Sequence, residues 1–338
     1  MQVKFSQAVS MCTLLLKNKL VPMLIGSPGC GKSSVAYAIA KAYNLFVIDL
    51  RLSQCDPTDL LGFPHIFGKK AGYMPMETFP FEGDEIPAGY SGWLLLLDEM
   101  NSAKQSVIAA AYKLILDRMV GVHKLHPNVV IMAAGNLETD NAIVEPMSTA
   151  MQSRMVHLEL VPDVEEFVVW AQTNNIFHYA VDYVKANPDM LFTFTPDHTD
   201  NTYACPRTWE FASRILHDLP MDHPDMMPLL AGTLSEPVAR SFTAYCKYYT
   251  EIPKIEHIKR DPEGTFLPDS KGILFALSGS LASHAANDPS FTNIIKYASR
   301  LPIEYQVYML KDAGRRKPEI RKHAAFREWT AKTGTELF

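Results

Sequence analysis

The chain has 338 residues, of which 47% are hydrophobic and 20% are charged. This composition is typical of a soluble globular protein and excludes a disordered or coiled-coil chain, and the length predicts about two domains with room for an appendage. The 32 basic and 37 acidic side chains give a formal net charge of −5, so no global basic field attracts nucleic acid or an acidic membrane, although a local basic patch stays open.

Apolar stretches are too short to cross a membrane. The longest runs, LLLL at 94–97 and VVIMAAG at 129–135, fall well below the roughly 18 residues that a transmembrane helix needs. Polar residues interrupt the apolar run near the amino terminus and no small-residue cleavage site follows, so we expect a mature, cytoplasmic start. The five cysteines are widely spaced without a CxxC pair, which favours a reducing compartment over a disulfide framework or a zinc ribbon.

Residues 22–50 are predicted to form a strand, a loop, a helix and a second strand. PMLIG and LFVIDL are short, continuously apolar runs, as buried parallel strands are. Between them the apolar side chains repeat at helical spacing and form one stripe, made of Val35, Ala36, Ile39, Ala40 and Tyr43. From Ser53 to about Gly92, Gly and Pro predict a loop-like segment, interrupted by TDLLGF and METFPFEG.

Three further strands are predicted from apolar runs in WLLLLDEM, VVIMAAGN and RMVHLEL. The first is followed by a helix from about Ala103 to Met119, whose entry SAKQ has the Ser-x-x-Gln spacing of a capping box. The segment VGVHKLHPN is predicted to form a hairpin connection. Because strands alternate with helices, we expect an α/β fold with a five-stranded parallel sheet covered by helices on both faces.

The pattern changes after Pro162, where strands cease and helical spacing dominates. Phe167, Trp170 and Ala171, for example, repeat as one helical face does. We therefore expect three parts: an α/β core of residues 1–162, a helical region of residues 163–250 and a helical carboxyl-terminal extension of residues 251–338.

The segment GSPGCGKS fits the phosphate-binding pattern G-x-x-x-x-G-K-[ST] and lies between a predicted strand and a predicted helix, as that pattern requires. Its glycines let backbone N–H groups converge on phosphate oxygens, and the helix dipole adds to the attraction. Lys32 is expected to reach the β- and γ-phosphates and Ser33 to bind Mg²⁺. The predicted nucleotide contacts are Gly26, Ser27, Pro28, Gly29, Cys30, Gly31, Lys32, Ser33 and Ser34.

The acidic pair Asp98 and Glu99 ends the predicted strand WLLLLDEM, at the carboxyl edge where open α/β sheets bind ligands. Asp98 suits the Mg²⁺ shell together with Ser33, and Glu99 suits a general base that polarises the attacking water. The sequence therefore predicts a nucleoside triphosphatase with ATP and Mg²⁺ as ligands. GTP stays open as an alternative, because the loop reads phosphates and not the base.

Two more polar residues are candidates for the same site. Asn136 ends the next strand and is expected to hold the water or the γ-phosphate, and the alternative is that it only starts a turn. Arg154 lies at the junction of a helix and a strand, where an ordinary surface arginine is the alternative.

Arg207 lies in the first turn of a helix that is predicted to begin at Pro206. The apolar residues at helical spacing in this helix are Phe211, Ala212, Ile215 and Leu216. A helix amino end disfavours a cation by a few tenths of a kcal/mol unless an anion is close. The γ-phosphate of ATP is one candidate for that anion, and Glu210 at i+3 is the other.

Together these segments resemble the AAA+ ATPases, and within them the MoxR-like family. Six motifs run in family order over roughly residues 20–216: GSPGCGKSS, RLSQCDPTDLLGFP, LLLLDEMNSA, LILDRMVGVHKLHPNVVIMAAGN, MQSRMVHLEL and PRTWEFASRIL. The resemblance implies an AAA+ P-loop core with a helix-2 insert after Cys55 and a hairpin before sensor 1, followed by an all-helical lid. In ring-forming members both the insert and the hairpin project toward the central pore.

The resemblance also implies roles for single residues. Asn136 looks like sensor 1, Arg154 like the arginine finger offered to a neighbouring subunit, and Arg207 like sensor 2, acting in cis or in trans. Arg118 looks like an interface residue. A homo-oligomeric ring, of hexameric type, follows from an active site completed by two chains, and a protein with a von Willebrand factor A domain is the implied partner.

Three functions are compatible with these motifs. The first is a remodelling or chaperone motor that acts on a protein partner. The second is a nucleic-acid motor of the helicase or branch-migration type, disfavoured because the insert and hairpin offer few obvious cations, namely Lys69, Lys70, Arg118 and Lys124. The third is a nucleotide-gated scaffold with little turnover, against which Glu99 argues.

Overall fold

The computed structural model describes residues 2–140, 147–250, 253–285 and 291–337. The chain forms two compact units, one made of Met1–Glu166 with Phe194–Thr199 and one made of Phe167–Thr193 with Asp200–Phe338. None of the helices in the described ranges has both the length and the apolar character that spanning a bilayer demands.

The first unit is built on a parallel β-sheet, as predicted. The strands of this unit are β1 (Gln2–Val3), β2 (Val21–Ile25), β3 (Leu45–Arg51), β4 (Phe63–Phe67), β5 (Lys70–Met74), β6 (Gly92–Asp98), β7 (Met119–Val120), β8 (His123–Lys124), β9 (Val129–Gly135) and β10 (Met155–Leu160). Six of them form the sheet in the order β1-β10-β2-β9-β6-β3, and every neighbouring pair in it is parallel.

The sheet has one strand more than the five predicted. The additional strand is β1, which pairs with the end of β10 through only two residues. Two residues are too few to show a hydrophobic pattern, so sequence periodicity had no means of finding this strand. The prediction that β3 is buried is wrong as well: β3 ends the sheet order, and only Ile48 within it is buried.

Helices cover both faces of the sheet. The helices of this part of the chain are α1 (Phe5–Lys17), α2 (Lys32–Ala42), α3 (Pro57–Leu61), α4 (Gln105–Asp117) and α5 (Thr149–Gln152). Side chains of β6 alternate between the two layers: Leu95 and Leu97 pack in the core that α4 covers, and Leu94 and Leu96 in the core that α1 and α2 cover. All four are fully buried, which explains the continuous apolar run.

Two helical details differ from the prediction. The expected capping box SAKQ is absent, because α4 begins after Lys104, which makes no side-chain cap, and Ser102 belongs to a short 3-10 turn, Met100–Ser102. Tyr43 follows the end of α2 and is 43% exposed, so the buried stripe of that helix ends at Ala40.

The segment after Ser53 holds more regular structure than the loop that was predicted. After α3, strands β4 and β5 form an antiparallel hairpin in which Phe67 pairs with Lys70. Gly68 supplies the left-handed φ of +63° that this two-residue turn requires. Because every residue of β4 is exposed, the alternation of apolar and polar side chains that marks a half-buried strand is missing.

The second unit is helical. The helices that follow the sheet are α6 (Val164–Thr173), α7 (His178–Ala186), α8 (Pro206–Asp218), α9 (Met226–Leu234), α10 (Glu236–Thr250), α11 (Ile255–Arg260), α12 (Lys271–Ala285), α13 (Phe291–Ala298), α14 (Ile303–Arg316) and α15 (Ala324–Leu337). α8 begins at Pro206 as predicted, but its buried face is centred on Trp209 and Leu216, whereas Phe211 is 44% exposed.

A buried charged cluster crosses this helical unit. The carboxylate of Asp312 on α14 is 3% exposed and lies 3.1 Å from Nζ of Lys185 on α7 and 3.0 Å from Nε of Arg316. The amide of Gln172 on α6 donates to the same carboxylate. Asp312 therefore links three helices through charge-assisted hydrogen bonds.

Candidate active site

The predicted phosphate loop lies between β2 and α2, at the carboxyl edge of the sheet. Gly29 and Gly31 have left-handed φ values of +80° and +101°, which turn the chain so that α2 starts at Lys32. This geometry places the amino end of α2 at the loop, and the N–H groups of a first helical turn favour an anion there. Gly26 has a packing role, since a Cβ on it would lie 2.7 Å from the carbonyl oxygen of Leu160.

Lys32 is the buried cation of the loop, with only 9% of its surface exposed. Its Nζ donates to the carbonyl oxygens of Gly26 at 2.7 Å and Ser27 at 3.1 Å, and to Oδ1 of Asn136 at 3.1 Å. These contacts bring the two predicted residues Lys32 and Asn136 together. A phosphate oxygen at this point would replace a neutral acceptor of the ammonium group by an anionic one, which strengthens the bond.

Ser33 and Asp98 also meet, as the predicted Mg²⁺ site requires. The Ser33 hydroxyl donates to Oδ2 of Asp98 at 2.8 Å, and the other carboxylate oxygen accepts the backbone N–H of Glu99 at 2.8 Å. One hydroxyl and one carboxylate are hard oxygen ligands of the kind that Mg²⁺ uses beside phosphate oxygens. The donor set therefore fits Mg²⁺ bound with a nucleoside triphosphate.

Glu99 follows β6 in a left-handed backbone conformation, with φ 54° and ψ 34°. A non-glycine residue in this region costs about 1 kcal/mol or more and is concentrated at functional sites. The hydroxyl of Ser53 donates a hydrogen bond to Oε2 of Glu99. Ser53 was missed by the sequence analysis, although it shares one signal with the acidic pair: it lies just after a strand, in the 3-10 turn that follows β3.

Asn136 directly follows β9. Besides Lys32, it has a second hydrogen-bond partner, the side-chain amide of Asn101. Nδ2 of Asn101 donates to the Asn136 carbonyl at 2.7 Å, and Oδ1 of Asn101 accepts the Asn136 N–H at 3.0 Å. Asn101 is 3% exposed and was also missed, because nothing in its spacing distinguishes it from a turn residue.

Arg154 lies at the amino ends of the parallel strands, opposite the carboxyl edge that holds the phosphate loop. It directly precedes β10, whose first residue pairs with Val21 at the start of β2, whereas the phosphate loop follows the end of β2 about 13 Å away along the strand. The exposed guanidinium donates to the carbonyl of Ala150 and stacks over the ring of Tyr112 at 5.5 Å. The structure therefore does not bring Arg154 to the phosphate loop of its own chain.

Arg207 belongs to the second unit, where it is exposed in the first turn of α8. The alternative that pairs it with Glu210 is wrong: the Glu210 carboxylate accepts from Arg214, one helical turn further on. Within the described ranges, Arg207 makes neither an ion pair nor a hydrogen bond through its guanidinium. An external anion would therefore offset the repulsion between the Arg207 guanidinium and the dipole of α8.

The remaining predicted positions have ordinary structural environments. Cys30 is a buried residue of the phosphate loop, and Ser34 is exposed on α2. Arg118 ends α4 in a left-handed conformation, and its guanidinium donates to the Val129 carbonyl at the start of β9. Burial lowers the pKa of this guanidinium from its ordinary value. Arg118 thus fastens the β7–β8 hairpin to the sheet within its own chain.

Comparison with known proteins agrees with this geometry. Residues 22–155 match the family model described as AAA domain (dynein-related subfamily), and the six-stranded sheet with its phosphate loop and the helical region that follows is the AAA+ P-loop fold. A mutant of RuvB from Thermotoga maritima is 16% identical over 85% of this chain and 85% of that chain, with a TM-score of 0.40. NtrX from Brucella abortus in complex with ADP is 13% identical over 98% of this chain and 67% of that chain, with a TM-score of 0.41. Neither structural likeness bears on what this chain acts on.

Proposed function

We propose that this chain, in which residues 22–155 match the model of the AAA domain (dynein-related subfamily), hydrolyses ATP to ADP and phosphate and uses the cycle to remodel a protein partner. One observation carries the enzymatic part. Lys32, Ser33, Asp98, Glu99 and Asn136 come from separate stretches of sequence yet meet at one edge of the sheet, linked by hydrogen bonds of 2.8 to 3.1 Å.

Each of these groups has a part in the reaction. The backbone N–H groups of the loop and Nζ of Lys32 bind and orient the phosphates, and Ser33 with Asp98 holds Mg²⁺, which when bound neutralises charge on the phosphate oxygens. Glu99 accepts the proton of the attacking water. Ser53 holds the Glu99 carboxylate through its hydroxyl, so the base has one defined orientation. Asn136, whose side chain accepts from Lys32, orients the γ-phosphate or the water.

The proposal includes a homo-oligomeric ring of hexameric type. Its support is the position of Arg154: at the amino edge of the sheet this guanidinium can serve a phosphate only in another chain. A ring of head-to-tail contacts presents the edge of one subunit to the site of the next. Arg154 is then the arginine finger, and Arg207 is sensor 2. Residues 1–162 act as the core, 163–250 as the lid and 251–338 as a helical extension.

Two neighbouring hairpins support a protein client over a nucleic acid. A Cβ on Gly121 in the β7–β8 turn would lie 3.9 Å from Cβ of Tyr73 on β5, so the hairpins are side by side. Ile66 and Val122 at these hairpins are 75% and 74% exposed. Exposed apolar side chains at adjacent hairpins suit contacts with an unfolded polypeptide, whereas nucleic acid requires a row of cations.

We also propose that the chain belongs to the MoxR-like family. The MoxR-like motifs, including LLLLDEMNSA and PRTWEFASRIL, support a MoxR-like ATPase that acts together with a protein carrying a von Willebrand factor A domain. In such a pair the ATPase supplies the nucleotide cycle and the partner selects the client.

Steady-state turnover tests the enzymatic part. Glu99→Gln keeps the size of the side chain and removes the base, so we expect ATP binding to persist while kcat falls by about 10²-fold or more. Lys32→Ala loses ATP binding. Unchanged turnover in Glu99→Gln would overturn the assignment of the base.

The client is tested in the same assay by adding a permanently unfolded polypeptide, single-stranded DNA or duplex DNA. We expect the polypeptide alone to change turnover, and Ile66→Ser with Val122→Ser to remove that response while basal turnover persists. Stimulation by DNA that weakens with salt would favour a nucleic-acid motor instead.

A further inference from the structure

The end of β9 has a backbone that the sheet does not satisfy. The ladder with β2 ends at the pair Ile25 and Gly135, and the ladder with β6 ends at Leu97 and Ala133. Asn136, the next residue, therefore has no strand partner for its N–H and C=O groups. A polar backbone group that is withdrawn from water and left without a hydrogen-bond partner destabilises the fold.

Asn101 satisfies both groups at once. Its side-chain amide donates to the Asn136 carbonyl at 2.7 Å and accepts the Asn136 N–H at 3.0 Å, so it acts as a one-residue extension of the sheet. Only a primary amide offers a donor and an acceptor side by side in this way. Because Asn101 is 3% exposed, water cannot easily replace either bond.

The strand is shaped to admit this amide. A Cβ on Gly135 would lie 2.3 Å from Oδ1 and 2.8 Å from Cγ of Asn101, and 2.7 Å from Cε of Met23, so glycine leaves the space that the amide and the end of the Met23 side chain occupy. The contact therefore depends on both Gly135 and Asn101, and a substitution at either position can disrupt it.

Asn101 connects two parts of the site. It lies in the 3-10 turn that begins directly after Glu99, and Met100 between them is fully buried, so the base and the amide share one short, anchored turn. At the other end of the connection, the side chain of Asn136 accepts from Lys32. We infer that Asn101 is a positioning residue for hydrolysis, which holds Asn136 at a defined place relative to Glu99 and the phosphate loop. This inference rests on the proposed ATPase function.

A double-mutant cycle tests it. Asn101→Asp keeps the acceptor for the Asn136 N–H and removes the donor to the Asn136 carbonyl, and we expect kcat to fall by about tenfold while the Kd for ATPγS stays within about twofold. Asn136→Ala is expected to lower kcat by a similar or larger factor. If Asn101 acts through Asn136, the double variant is no slower than Asn136→Ala alone.

Asn128 provides the matched control. It precedes β9, and its amide donates at 3.2 Å to the carbonyl of Ser91 before β6, so it links the same two strands at their opposite ends. Asn128→Asp removes an equivalent bond, and we expect it to leave kcat unchanged. An equal loss of kcat in Asn128→Asp would show that any weakening of this strand pair slows the reaction, and would overturn the inference.

Gly135→Ala gives a second route, because the added methyl group displaces the Asn101 amide without changing it, while its other close contact, Cε of Met23, is the far end of a flexible side chain. We expect the kcat of Gly135→Ala to be about as low as that of Asn101→Asp. Native kcat in both variants, or multiplicative losses in the double variant, would overturn the positioning role while leaving the ATPase proposal intact. A native chain with no ATP turnover would overturn the ATPase proposal itself.

Discussion

The hydroxyl of Ser53, in the turn that follows β3, donates a hydrogen bond to the carboxylate of Glu99, which follows the neighbouring strand β6. β3 and β6 are in register, with Arg51 paired to Asp98, so the residues that follow each strand come within reach of one another. Ser53 thereby restrains the one side chain that is proposed to take a proton from water.

Ser53→Ala should alter the action of the base without altering nucleotide binding. Without this hydrogen bond, Glu99 samples several orientations. We therefore expect kcat to fall by about 3- to 30-fold, while the KM for ATP stays within about twofold. Ser53→Thr keeps the hydroxyl and should retain most of the native rate. An identical kcat in Ser53→Ala and the native chain would remove Ser53 from the mechanism.

Arg154 is predicted to act on the nucleotide of a neighbouring chain, and mixing tests this. Arg154→Ala and Lys32→Ala chains should each be inactive, but an equal mixture should recover about a quarter of the native turnover, because half the chains have an intact loop and half of their neighbours an intact Arg154. The measurement is ATP turnover after subunit exchange. A mixture as inactive as its components would contradict action between subunits.

Arg207→Ala should lower kcat by about 10- to 100-fold, since it removes a cation that would stabilise charge on the phosphates. Circular dichroism and thermal unfolding should stay native, because Arg207 is exposed. Arg214→Ala is the control on the same helix: it breaks the exposed pair with Glu210 and should change neither quantity appreciably. Native turnover in Arg207→Ala would leave this arginine without a role in the site.

Asp312→Ala should destabilise the helical unit by about 3–5 kcal/mol, because it leaves Lys185 and Arg316 as buried cations without their carboxylate. Glu328→Ala on α15 is the control: its pair with Lys332 is exposed on both sides, so its loss should leave the free energy of unfolding nearly unchanged. Urea unfolding followed by helical circular dichroism measures both. Equal losses in the two variants would contradict the role of the buried cluster.

His178 predicts how the stability of this unit depends on pH. Burial, as the largest cause, acts together with the positive charge of Arg316 and smaller electrostatic effects of His284 and His217 to lower the pKa of the ring to about 4. The unfolded chain takes up a proton at pH values where the folded chain does not, so this contribution is present above about pH 6.5 and is lost as the pH falls toward 4.

The expected loss from His178 between pH 7.5 and pH 5 is about 2 kcal/mol of unfolding free energy. His178→Phe keeps an aromatic ring and removes the titration, so its stability should fall by about 2 kcal/mol less than that of the native chain over the same interval. A parallel pH dependence in the two proteins would show that His178 does not titrate in this way.

Local patterns were enough to predict the elements that hold the proposed site. The spacing of the phosphate loop and its position between an apolar run and a helical stripe predict Lys32 and Ser33 at the start of a helix after a strand, which is where α2 begins, because this placement depends on contiguous residues. Asp98 and Asn136 were found in the same way, as polar residues that end continuous apolar runs. In each case the signal lies within a few residues of sequence.

The elements that were missed lack such a signal. β1 is too short to have a period, and the β4–β5 hairpin has no buried face that would impose alternation. The exposed position of Phe211 was also missed, because Trp209 determines which side of α8 faces the helical core. Packing decides these features, and single-sequence periodicity does not report it.

The sequence by itself determined the position of the phosphate-loop pattern between a strand and a helix, and the alternation of strands and helices, since steric and hydrogen-bonding preferences of neighbouring residues are sufficient for both. Only the tertiary structure decided which polar side chains meet. Ser53 reaches Glu99 and Asn101 reaches Asn136 because parallel strands that are distant in sequence end at one edge of the sheet. Strand order and register bring these pairs together, and both arise from burial of the two faces of the sheet as a whole.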